Sequence, residues 1–90
     1  MWGVLNDIIL ILVMKIILYY QSGGSDEVDF KPNDTMQNVL QFTSDRLVID
    51  ESQLTILYEG RVVDLNSTIE ANNISEGETL NVITSVTAGK

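Results

Sequence analysis

The chain predicts an α+β fold in which one mixed sheet of four to five strands packs on a single helix. Three observations carry this. Leu54, Ile56 and Tyr58 alternate with Thr55 and Leu57, and Glu59-Gly60 then supplies turn chemistry ahead of Arg61 to Val63, which makes a hairpin. Met36, Val39, Leu40, Thr43 and Leu47 recur at helical spacing behind Pro32-Asn-Asp-Thr35. Two further alternating runs, Met14 to Tyr20 and Thr79 to Val86, stand near the two ends of the chain.

Residues 1–13 differ in composition from everything after them. Together with Met14 to Tyr20 they form an apolar run close to the ~20 residues a membrane helix needs. Asp7 and Lys15 interrupt it, no basic cluster precedes it, and no small-residue cleavage site closes it. Membrane association through residues 1–20 is therefore disfavoured against an extension that packs on the domain or frays, or a start at Met14.

From Met14 the chain reads as strands. Met14, Ile16, Leu18 and Tyr20 share the inner face, with Lys15, Ile17 and Tyr19 outside. Gln21 to Ser25 is a Gly-containing turn, and Glu27 to Lys31 returns with Val28 and Phe30 inward. Thr35 is the expected N-cap, with Asp34 near the positive end of the helix dipole, and the helix is expected to end around Ser44 to Arg46. Val48 to Ser52 leads back with Ile49 tucked under. Apolar residues on both sides place the Leu54–Val63 hairpin at the centre of the sheet order. Thr68 caps a short helical turn beginning at Ile69, Ile74 is a core residue, and Thr79 to Val86 is the last strand. A right-handed crossover sets the first and last strands side by side and parallel. That arrangement is the β-grasp.

Composition narrows the function. Ninety residues make one small domain, and 13 acidic against 5 basic residues give a net charge of −8. Nucleic acid does not fit as a partner, because phosphate binding draws on a basic face. With neither cysteine nor histidine, a disulfide, a thiolate or Ser-His nucleophile and the usual zinc sites are out of reach. Asp26-Glu27 and Asp50-Glu51 are adjacent, so on extended backbone each pair points to opposite faces and reads as solvated surface. No enzyme, metal or cofactor is expected.

The chain resembles the ubiquitin family through Met14-Lys-Ile, Pro32-Asn-Asp-Thr35 with Asn38-Val39, Leu57-Tyr-Glu-Gly60, Thr68-Ile69, Asn73-Ile74 and Thr79-Leu80. These fall into register without a gap from Met14 to Gly89. The resemblance implies a ubiquitin-like β-grasp domain over 14–87, an added extension over 1–13 and a tail over 88–90; Leu54 to Gly60 is equally similar to SUMO-like domains. It also implies action by protein–protein recognition in the cytoplasm or nucleus. The family's leucine, isoleucine and valine patch matches Gln21, Leu57 and Ile83, so receptors of the ubiquitin-binding kind are the implied partners.

The tail carries a second implication. The family's terminal Gly-Gly matches Ala88-Gly89, and loss of Lys90 would leave Gly89 as the carboxylate that activating and conjugating enzymes use. Ser85 and Thr87 stand where the family has tail arginines, and its chain-linking lysines match Tyr19, Gly24, Leu40, Phe42, Arg46, Arg61 and Glu76, so linkage of the ubiquitin type is not expected. A membrane-tethered, non-conjugated adaptor is the alternative. Asn33-Asp-Thr35, Asn66-Ser-Thr68 and Asn73-Ile-Ser75 match the glycosylation sequon and bear on function only if residues 1–13 direct the chain to the secretory pathway.

Overall fold

Alternation of apolar residues sets the layers. In the computed structural model, which describes residues 12–85, β1 (Met14–Tyr20) buries Ile16, Leu18 and Tyr20 and turns Lys15 and Tyr19 to solvent. It pairs antiparallel with β2 (Ser25–Phe30), opposing Ile16 to Val28 and Leu18 to Asp26. β2 thus begins two residues before Glu27, because Gly23 and Gly24, both at positive φ, complete the turn early.

Helix α1 (Met36–Leu47) buries Met36, Val39, Leu40 and Thr43 against the sheet. Its start is a capping box: Thr35 Oγ1 accepts from the Asn38 N–H and Asn38 Oδ1 accepts from the Thr35 N–H. The Asp34 carboxylate, one residue before the cap, has a role in the preceding turn. It accepts from the Lys31 N–H at 2.8 Å and closes the turn ahead of the cap. The helix runs to Leu47, slightly past the expected end, and stops at Val48, which takes the left-handed conformation with φ 58° and ψ 47°.

A 3₁₀ turn at Glu51–Gln53 leads into β3 (Leu54–Tyr58), which folds back through Glu59 and Gly60, both at positive φ, to the two-residue β4 (Arg61–Val62). A second 3₁₀ turn, Glu70–Asn72, starts one residue after Ile69, and Thr68 Oγ1 accepts from the Ala71 N–H at 3.0 Å. β5 spans Thr79–Thr84; Ser85 lies beyond it, and Val86 falls outside the described residues.

The sheet order is β2-β1-β5-β3-β4, with β1 and β5 parallel and the other pairs antiparallel. This corrects the expectation that the Leu54–Val63 hairpin is central. β5 holds the centre and the hairpin forms one flank, because β4 is too short to support another strand beyond it. The core lies between sheet and helix and includes Ile16, Leu18, Ile56, Ile69, Ile74, Leu80 and Val82. Phe30 and Phe42 meet edge to face at its border, centroids 6.0 Å apart. The whole is a mixed five-stranded sheet on one helix, a β-grasp.

Candidate protein-docking face

The face of the sheet away from α1 has no second layer among the described residues. Register decides which side chains stand there. Asn81 on β5 lies opposite both Tyr19 on β1 and Leu57 on β3, while Ile83 lies opposite Thr55 and Val62 opposite Leu57. Period-two geometry then puts Tyr19, Leu57, Val62, Asn81 and Ile83 on one face. Gln21 joins them because its backbone N–H donates to the Val82 carbonyl at 2.9 Å, extending the β1–β5 ladder past the end of β1.

The three residues singled out in the sequence, Gln21, Leu57 and Ile83, therefore come together. With Tyr19, Asn81 and Val82 they line one shallow hollow of about 290 Å³. Leu57 and Ile83 are half-buried, whereas Tyr19 is 53% and Val62 69% exposed. No charged side chain lines the hollow. Its lining combines the apolar Leu57, Val82 and Ile83 with two amides, Gln21 and Asn81, and the Tyr19 phenol, so anything seated there meets apolar and neutral polar groups.

Tyr19 and Val62 were not among the residues expected at the site. Tyr19 was legible as outward-facing, but its meeting with Leu57 depends on the parallel β1–β5 register, which alternation alone does not fix. Ala88, Gly89 and Lys90 lie outside the described residues, as do residues 1–11. Residues 14–20, counted in the apolar run weighed against a membrane helix, are built into the sheet as β1, and among the described residues no helix is long and apolar enough to cross a membrane.

Both acidic pairs depart from their reading as solvated surface on extended backbone: Asp50 caps the Glu51–Gln53 turn by accepting from the Ser52 N–H at 3.0 Å, and Glu51 Oε1 accepts from Gln37 Nε2 at 2.9 Å. Asp26 and Glu27 do point to opposite faces, but Asp26 turns toward the helix side, where its carboxylate accepts from the Tyr20 hydroxyl at 2.6 Å and from Arg46 Nε at 2.7 Å. Glu27 stays outside, 3.7 Å from Lys15 Nζ. Among the described residues no group of three or more potential ligands gathers that could hold a metal ion.

Fold and topology are those of a ubiquitin-like domain, and its structural neighbours are ubiquitin and ubiquitin-like domains. The ubiquitin of Caldiarchaeum subterraneum is similar over 86% of this chain and 99% of its own, at 24% identity and a TM-score of 0.79. The UBL domain of Plasmodium falciparum Dsk2 is similar over 82% of this chain and 100% of its own, at 15% identity and a TM-score of 0.76. A chain of the pParkin–pUb–UbcH7 complex matches over 81% of this chain but 23% of its own length, at 19% identity and a TM-score of 0.76. No protein-family model matches the sequence, and no curated protein matches it.

Proposed function

We propose that the chain is a non-catalytic protein-interaction domain that docks the apolar face of a helix on Leu57, Ile83 and Tyr19, with Gln21 at the rim. The convergence of these residues from three adjacent elements onto one uncharged hollow supports this reading. A helix lays an i, i+3, i+4 stripe into such a groove. Cytoplasmic or nuclear receptors of the ubiquitin-binding kind fit it.

Titration of the ¹⁵N-labelled chain with an uncharged amphipathic helical peptide tests it. Shifts centred on Tyr19, Leu57 and Ile83, and a loss of affinity of at least about tenfold in Leu57→Ala, are expected. Binding elsewhere, or binding unchanged in Leu57→Ala, would overturn the reading.

Attachment through Gly89 is a second reading, favoured by the sequence Ala88-Gly89-Lys90 following the strand that carries Ile83. Removal of Lys90 would leave a glycine carboxylate with no side chain to obstruct an activating enzyme. Intact masses that end at Gly89, together with heavier adducts lost in Gly89→Val, would establish it; a chain that keeps Lys90 and forms no adducts would remove it.

A further inference from the structure

We infer that the apolar segment 1–13 occupies the outer-sheet patch of its own chain and competes there with the helical partner. This rests on the docking reading of Leu57 and Ile83 given above.

Among the described residues every buried core side chain lies between Ile16 and Val82, and Leu12 and Val13, where the run joins β1, are 65% and 46% exposed. Yet apart from Gly3, Asn6 and Asp7 the first 13 residues are all apolar, and they include Trp2, Leu5 and Ile9. Burying large apolar side chains removes their surface from water, so a run of this kind seeks cover.

The patch lies within reach. Met14 opens β1 and Tyr19 stands near its far end, about 17 Å away at ~3.3 Å per residue. Thirteen residues cover ~20 Å even at the compact rise of a helix, and more than twice that when extended. The hollow carries no charge, so an apolar segment desolvates no ion on entering it. Against an open hollow Asp7 can keep its water, whereas the centre of a bilayer would strip it of water. A contact in cis also has an effective concentration in the millimolar range, well above that of a partner present at micromolar levels.

The chain contains no cysteine, so Gly3→Cys gives it one site for a nitroxide label. Paramagnetic broadening of the amides of Tyr19, Leu57, Asn81 and Ile83, unchanged on dilution and abolished by Leu5→Glu with Ile9→Glu, is the expected result. The same double substitution should tighten binding of the helical peptide about tenfold, the factor set by a cis contact populated ~90% of the time. Sharp patch amides in the labelled chain would overturn the inference. So would broadening that fades on dilution, which indicates a second copy, or broadening that appears only with phosphatidylcholine–phosphatidylglycerol vesicles, which indicates a membrane. If the peptide binds neither form while broadening persists, the receptor reading falls and the cis contact stands. Equal peptide binding by both forms without broadening does the reverse.

Discussion

Tyr20 donates its hydroxyl proton to Asp26 at 2.6 Å, and the same carboxylate oxygen accepts from Arg46 Nε at 2.7 Å. One acidic side chain thereby ties the first hairpin to the last turn of α1, where Arg46 also complements the helix dipole. The Tyr20 hydrogen bond, reinforced by that of Arg46, holds the Asp26 carboxyl below the usual carboxylate range. Burial, then the bond to Asp26, pushes the Tyr20 phenol up, and the bond to Asp26 raises Arg46.

Acid should release this tie. A folded-state value below the unfolded ~3.9 means that the contribution of Asp26 is complete above about pH 4 and is lost as pH falls through the depressed folded value. Asp26→Asn should lower stability at neutral pH and flatten its acid limb. Urea unfolding at neutral pH and at about pH 2 measures both; parallel wild-type and variant curves would contradict it.

Alkali should act at the other end of the core. The Glu78 carboxylate accepts the Tyr58 hydroxyl, and that bond, ahead of burial, pushes the phenol up to about 12. Raised above the unfolded ~10, Tyr58 contributes stability that is complete below about pH 10 and is lost as pH rises toward 12. Tyr58→Phe should be less stable at neutral pH and lack that part of the alkaline loss, as followed by denaturant midpoint against pH.

Val48 occupies a left-handed position with its side chain 88% exposed. A β-branched residue there is strained, with no burial to offset the strain, and glycine is the ordinary occupant after a helix. Val48→Gly should stabilise the domain by about 1 kcal/mol, a rise in Tm of about 4–8 °C by calorimetry. A lower Tm would show that the side chain makes a contact worth more than its strain.

Leu18 and Leu57 should separate stability from binding. Leu18 is fully buried between sheet and helix, and Leu18→Ala should cost about 2–5 kcal/mol. Leu57 is half-buried on the outer face, so Leu57→Ala should unfold at nearly the wild-type denaturant concentration while losing peptide affinity. Comparable losses of stability in the two variants would place Leu57 in the core instead.

Alternation and capping chemistry made most of the fold legible. Thr35 as the N-cap, the turn at Glu59-Gly60 and the inward set Ile16, Leu18, Tyr20 each act over a few residues, and the structure has them as read; the reciprocal bond from Asn38 was not foreseen. Strand order was misread at the hairpin, because flanking hydrophobicity reports burial and not which strand closes the sheet. Asp26 was misread for a related reason. Its inward position followed from the spacing to Val28 and Phe30, but its partners Tyr20 and Arg46 come from separate elements. At the candidate face, Leu57 and Ile83 were legible from period two, while Tyr19 entered through a pairing between distant strands that no local pattern encodes.

The central pairing of β1 with β5 sets Leu18 beside Leu80, with about sixty residues of chain between them. Closing a loop of that length costs conformational entropy before any contact repays it, so folding should be slower than for a helical bundle of equal size. During synthesis β1 must wait for nearly the whole chain to emerge before its parallel neighbour exists. A chain cut short ahead of Thr79 leaves β1 and β3 without the strand that joins them, and a stable half-domain is not expected.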